Sequence, residues 1–225
     1  MGDVLAKYDL STLSGRLKAL WDFWWGDHAY LRLFFPNAHW VDEKLVRTNQ
    51  PWPFQLGWWK AQGIRTVINL RGGTVSSFYE LEDDACRRLD LTMISFIVTS
   101  RDAPSREQIL GAKALFEQIT YPALIHCKSG ADRAGLMSVL YRHFHKGEPI
   151  QVAMQELGLR TLHMEAGKTG VLDYVFHRYL DEAEPKGLSF EDWVRSDAYD
   201  HEAIKQDFKA SWWGTLLTEK ILRRE

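Results

Sequence analysis

His126-Cys127-Lys128-Ser129-Gly130-Ala131-Asp132-Arg133 holds the residues whose types and spacing suit one kind of chemistry. A cysteine and an arginine stand five residues apart, at the end of an apolar run (Ala123-Leu124-Ile125) and ahead of a helical pattern. A strand that turns through a short glycine-bearing loop into a helix directs successive backbone N–H groups into a shallow nest, which binds an oxyanion. The same nest and helix N-terminus favour a thiolate, so Cys127 is expected to be a nucleophile. The planar guanidinium of Arg133 suits two oxygens of a phosphoryl group. One segment thus offers a nucleophile, an anion cradle (residues 128–132) and a charge clamp. His126 is expected to orient the loop through a ring N–H to a backbone carbonyl, and Lys128 to attract anionic substrates. Asp132 opposes Lys128, because a carboxylate beside the pocket repels additional phosphates.

These eight residues resemble the His-Cys-x5-Arg signature of the cysteine-dependent phosphatases, the protein tyrosine and dual-specificity group. The resemblance implies hydrolysis of phosphomonoesters through a phosphocysteine intermediate, with Cys127 and Arg133 as catalytic residues and without metal or cofactor. Arg47-Thr48-Asn49-Gln50-Pro51 and Asn69-Leu70-Arg71-Gly72 look like the pocket-wall loops of the atypical, bacterial-type members. On that likeness Arg47 and Arg71 join His126, Lys128, Ser129, Gly130, Ala131 and Asp132 as expected substrate-binding residues, although an arginine bonding neighbouring loop carbonyls fits equally well. Lys168 and Thr169 are further candidates for reaching the pocket. One position departs from the family: the residue after the arginine is usually Ser or Thr, whose hydroxyl helps the cysteine leave, and here it is Ala134.

A departing alkoxide or phenoxide needs a proton donor. Asp102 stands in the loop Thr99-Ser100-Arg101-Asp102-Ala103-Pro104, after a predicted strand and on the sheet edge where α/β proteins bind ligands. The family's acid loop lies in the same region upstream of the cysteine. Asp83 and Asp84 fall mid-helix and Asp90 at a helix end, which makes them poorer acids. His143 and His145 diverge on a helix, and His163 and His177 have no evident carboxylate partner in the sequence, so metal chemistry finds little footing. Cys86, on a predicted helix, reads as a core residue.

Composition bounds the remainder. With 225 residues and a net charge of −2, the chain can build one sizeable domain with extensions and carries no signature of a nucleic-acid binder. Two cysteines exclude a disulfide scaffold and fit a reducing, cytoplasmic setting. Neither a secretory leader nor a membrane span is legible, and Ala6 stands where a myristoylation signal wants Ser or Thr. Seven of the ten tryptophans precede residue 60 and three follow residue 192, so the aromatic excess belongs to the ends.

Strand and helix patterns alternate: strands near 38–47, 64–70, 91–98 and 123–127, and helices near 53–62, 76–89, 105–120 and 133–146. Helical pieces follow near 149–157 and 168–182. The pattern predicts an α/β fold, a mostly parallel sheet flanked by helices, with helical extensions at 1–37 and 183–225 around a domain at 38–182. Residues 181–187 form the best linker candidate. Leu13, Leu17, Leu20, Trp21, Trp24 and Trp25 predict an apolar helix face, and residues 212–222 a second amphipathic helix. Such helices either pack on the core or lie in a membrane interface, where the substrate would be a lipid or inositol phosphate. Two other classes remain at this stage: a rhodanese-like sulfurtransferase and a non-catalytic phosphate-binding module.

Overall fold

The structure, a computed structural model, describes residues 6–210. The expected helix at 212–222 lies outside the described residues. Two compact units divide the chain: residues to 98 with 118–138, and residues 99–117 with those from 139 onward. The described part of the N-terminal extension therefore belongs to the unit that carries the sheet.

Five strands form that sheet in the order β1-β2-β5-β3-β4. They are β1 (His39–Trp40), β2 (Leu45–Asn49), β3 (Thr66–Asn69), β4 (Thr92–Ser95) and β5 (Ala123–Cys127). All pairs are parallel except β1 with β2. The single strand expected over 38–47 is thus a hairpin. Its turn forms because Asp42 Oδ1 accepts from the Lys44 and Leu45 amides at 2.9 and 3.0 Å, and so folds the backbone back on itself. β5 is central and wholly buried, which explains its unbroken apolar run. The strand expected over 91–98 is shorter, ending at Ser95.

Helices α3 (Pro53–Ala61) and α4 (Ser77–Arg88) follow β2 and β3. Leu56 and Trp59 from α3 and Ala85 and Cys86 from α4 pack with Val46, Val67 and Leu124 of the sheet in one apolar cluster. Each fully buried large aliphatic side chain there contributes about 1.5–3 kcal/mol. Pro53 opens α3 with its φ already suited to a helix, and Gln55 Oε1 accepts the Trp52 amide at 2.8 Å.

Upstream, α1 (Leu13–Trp21) continues into a wide π-helical turn, Asp22–Gly26, and a short α2 (Leu31–Phe34) follows. α1 packs by a face other than its predicted apolar one. Gly15, Ala19 and Phe23 face inward, with Ala19, Phe23, Ala29, Trp52 and Leu81 forming a cluster against α4. Gly15 is required by the preceding turn, since a Cβ there would sit 1.8 Å from the Asp9 carbonyl oxygen. Of the predicted apolar face, Leu13, Leu17, Leu20, Trp21 and Trp25 are exposed and Trp24 is half-buried. Arg16 pairs with Asp84 at 2.9 Å, and the Lys7 and Tyr8 amides donate to Glu80, further fastening this segment to α4.

The second unit holds most of α5 (Arg106–Gln118), the later part of α6 (Asp132–Phe144), α7 (Ile150–Ala153), α8 (Val171–Glu182) and α9 (Phe190–Arg195). The expected helix near 149–157 is α7 followed by a 3-10 turn, Met154–Glu156. The linker candidate contains a 3-10 turn, Glu184–Lys186, and leads directly to Phe190 and Trp193. Both aromatics are buried and pack edge-on or tilted against Tyr179 of α8, with ring centroids 5.2 and 5.7 Å away. Aromatic burial thus draws the segment after 183 into the same compact unit as α8.

Candidate active site

Register places the site. Asn49 pairs with Cys127 across β2 and β5, and Asn69 pairs with His126 across β3 and β5, so three parallel strands end together. The chain leaves Cys127 through residues 128–131 and enters α6 at Asp132. Gly130 makes the turn possible. Its φ is +77°, and a Cβ would lie 2.6 Å from the Asn49 amide nitrogen and 2.7 Å from the Thr48 carbonyl carbon. The Gly130 N–H donates to Cys127 Sγ at 3.2 Å, and Ala131 N–H to Ser129 Oγ at 3.4 Å. Cys127 and Ala131 are buried, Ser129 is exposed, and Asp132 and Arg133 are half-buried. Among the described residues the Arg133 guanidinium has no protein hydrogen-bond or salt-bridge partner. A half-buried unpaired cation on the first turn of a helix is suited to an anion.

Arg47 has a different place from the expected one. It is fully buried, and its Nη2 donates to the Gly130 and Ala131 carbonyls at 2.8 and 2.7 Å. Sequestered from solvent and bonded to these two carbonyls, it braces the loop from β2. These are the contacts of an arginine bonding neighbouring loop carbonyls. Asn37 adds a second brace, donating from Nδ2 to the Ser129 carbonyl at 3.0 Å.

Arg71 is likewise engaged. Its Nη2 and Nη1 reach Asp27 Oδ1 and Oδ2 at 2.6 and 2.8 Å, Nη1 also contacts Gln50 Oε1, and the guanidinium lies 3.7 Å from the Phe78 ring centroid. The guanidinium is thus held in a bidentate pair and packed on an aromatic ring. Lys128 also turns to Asp27, with Nζ 3.2 Å from Oδ1. Asp27 in addition receives Arg32 Nη2 at 2.6 Å. Burial acts to raise the Asp27 pKa, but the hydrogen bonds and charge of Arg71, with the charges of Arg32 and Lys128, outweigh it and hold the carboxyl at about 2.

His126 meets a carboxylate and not the expected backbone carbonyl. Its Nε2 lies 2.7 Å from Glu82 Oε1, both groups being buried. The contact is off the line of the ring N–H, so it is a close contact without an aligned hydrogen bond. Glu82 Oε2 accepts from Asn69 Nδ2 at 2.6 Å and from Gln50 Nε2 at 3.3 Å. Asn69, His126 and Gln50 stand at or near the ends of β3, β5 and β2, and Glu82 of α4 joins them. Asn69 and Gln50 were legible only as parts of loops, Glu82 only as a polar position on an amphipathic helix, and Asp27 had no signal beyond its own carboxylate.

Asp102 belongs to the second unit, half-exposed, with Oδ1 2.7 Å from Lys205 Nζ. Lys168 and Thr169 are in that unit too, in a 3-10 turn. His163 does have a carboxylate partner: Nε2 is 2.6 Å from Asp173 Oδ2, and both residues are buried. Sequence distance hid that pairing. His177 lies 3.4 Å from Glu165. Burial, with the charges of Glu82 and Asp83, pushes the Cys86 thiol up, as suits a core cysteine.

Residues 39–171 match the PTP-NADK family, described as "DSP-PTPase phosphatase fused to NAD+ Kinase". The chain belongs to this family. It is a DSP-PTPase, a phosphoric monoester hydrolase of dual-specificity type, and the sulfurtransferase and non-catalytic alternatives give way. Among solved structures, Tk-PTP in its active form is similar at 21% identity over 64% of this chain and 97% of that one, with a TM-score of 0.51. A putative phosphatase (DUF442) from Shewanella putrefaciens CN-32 is similar at 16% identity over 67% and 98% of the two chains, with a TM-score of 0.50. Both likenesses bear on the fold of this DSP-PTPase. No curated protein sequence matches the chain.

Proposed function

We propose that this phosphatase works through a phosphocysteine intermediate, with Cys127 as nucleophile and Arg133 as the clamp on the phosphoryl oxygens. The observation that supports it is the half-buried guanidinium of Arg133, unpaired among the described residues and six positions after a cysteine whose sulfur accepts the Gly130 N–H. In this reaction the sulfur attacks phosphorus in line as the P–O bond to the leaving group breaks. Arg133 and the loop amides hold the equatorial oxygens. Asp102 protonates the leaving oxygen, exchanging its contact with Lys205 for that oxygen. Water then attacks the phosphocysteine, Asp102 takes its proton, and inorganic phosphate departs as the P–S bond breaks.

The deciding experiment is Cys127→Ser with an aryl phosphate. Turnover should vanish while orthophosphate still binds, and undiminished turnover in a pure preparation would refute the mechanism. For the acid, Asp102→Asn should slow an alkyl phosphate by about 10²–10⁴-fold and an activated aryl phosphate far less. Equal losses on both would remove Asp102 from that role.

A second reading concerns where the enzyme meets its substrate. Trp21 and Phe34 are 70% and 78% exposed, and Leu13, Leu17, Trp25 and Phe35 accompany them. An exposed Leu/Trp/Phe set beside Lys18 suits the headgroup boundary of a membrane, where a lipid phosphate would be the substrate. Because Ala19 and Phe23 pack inward, deleting the helix would test folding and not binding. Trp21→Ser/Trp25→Ser removes only exposed rings. It should reduce co-sedimentation with anionic liposomes and leave aryl phosphate turnover intact, whereas wild-type protein that stays in the supernatant would defeat this reading.

A further inference from the structure

Lys128 directly follows the proposed nucleophile, yet its ammonium is already engaged, 3.2 Å from Asp27 Oδ1. Asp27 lies in the turn after Asp22–Gly26, upstream of the family-matched residues 39–171. The fold brings it to the loop by packing Phe23 and Ala29 against Trp52, whose Nε1 donates to the Ala29 carbonyl at 3.0 Å. Its carboxylate gathers three cations. Arg71 and Arg32 are almost completely buried, and the side chain of Lys128 is 45% exposed. Arg32 Nη1 also donates to the Asp27 carbonyl oxygen at 3.2 Å, so backbone and side chain are both held.

A carboxylate fixed in this way has two effects on the loop. It draws back the one loop side chain that would otherwise offer an ammonium to a second anionic group. It also places a negative charge where such a group would have to approach. The geometry points to Asp27 as a positioning residue that sets specificity: by holding Lys128, it leaves Arg133 as the loop's unpaired cation among the described residues. The site then takes substrates with a single phosphate group in preference to pyrophosphates or neighbouring bisphosphates. This inference rests on the reading of residues 127–133 as the phosphate site. Asp132, on the far side of the loop in sequence, adds a second carboxylate and is left unchanged in the test.

The test uses the full chain and two inorganic probes, orthophosphate and pyrophosphate, as competitive inhibitors of aryl phosphate turnover. Wild type, Asp27→Asn, Lys128→Gln and the double variant are compared by the ratio of the two inhibition constants. Asp27→Asn should tighten pyrophosphate relative to orthophosphate by about fivefold, the size of one half-exposed charge pair. Lys128→Gln alone should change the ratio by less than about twofold, because the ammonium is already occupied, and the double variant should lose the gain. A general structural disturbance would weaken both inhibitors and would not depend on Lys128. An unchanged ratio in Asp27→Asn, or a gain that persists in the double variant, would overturn the inference. If Asp27→Asn fails to fold, Lys128→Gln decides alone: a pyrophosphate loss of about fivefold or more would mean that Lys128 already serves substrate. Wild type inactive on aryl phosphate would sink the reading of the loop itself. Active wild type with an unchanged ratio sinks only this inference.

Discussion

Replacing Arg47 with methionine removes the brace beneath the loop while keeping most of the side-chain stem. Two hydrogen bonds are lost, from one charged donor to the Gly130 and Ala131 carbonyls at 2.8 and 2.7 Å. Hydrogen bonds to a charged group are worth about 1.5–3 kcal/mol each, giving a gross loss of about 3–6 kcal/mol. Part of this is returned, because a fully buried guanidinium no longer has to be desolvated. A net destabilisation of about 3 kcal/mol follows, which for a chain of this length lowers Tm by roughly 6–12 °C. The effect on turnover should exceed the effect on global stability at working temperature. The two carbonyls belong to the stretch that bends the chain from Cys127 into α6, and their release lets the amides leave the phosphate. The assay pairs thermal unfolding with aryl phosphate kinetics on the same preparation, well below Tm. A folded Arg47→Met protein should show kcat/KM reduced by at least about tenfold, equivalent to 1.4 kcal/mol of transition-state stabilisation. Wild-type Tm together with wild-type kcat/KM would refute the brace. An unchanged Tm with a raised KM alone would return Arg47 to substrate contact.

Gly130→Ala forces a Cβ to within 2.6 Å of backbone in β2 at a φ of +77°, so the loop must open. Activity should fall below detection while circular dichroism still reports the sheet, and an active variant would show that the loop adapts. Ala134, fully buried one residue after Arg133, supplies no hydroxyl to the departing sulfur. Rapid mixing should therefore show a burst of aryl leaving group, and Ala134→Ser should raise the steady-state rate; neither effect would appear if another group already serves. Asp27, with its folded-state pKa lowered to about 2, contributes stability that is complete above its unfolded value of about 4 and is lost as pH falls toward 2. Acid unfolding followed by tryptophan fluorescence should be steep in that window for wild type and flatter for Asp27→Asn; parallel curves would remove Asp27 from the acid transition.

The sequence by itself determined the chemistry and its frame. A cysteine and an arginine five residues apart, a glycine between them and an apolar run before them are local features, and local geometry suffices to turn them into a strand, a loop and a helix N-terminus. The alternation of strand and helix patterns specified the mostly parallel sheet for the same reason, since each period reflects one buried face. What the tertiary structure decided were the partners. Arg47 lies within β2 and Arg71 just after β3, and nothing local says that one bonds the loop carbonyls and the other a carboxylate 44 residues upstream. The inward face of α1 could not be read from hydrophobicity: Ala19 packs in the cluster with Leu81 of α4, and Gly15 lies against the Asp9 carbonyl, while the larger Leu17 and Trp21 are exposed. Asp27, Glu82 and Asn37 reach the site from three separate segments, and each looks like an ordinary surface polar residue in one dimension. Long-range pairing of buried charges depends on which segments meet, and only the folded chain holds that information.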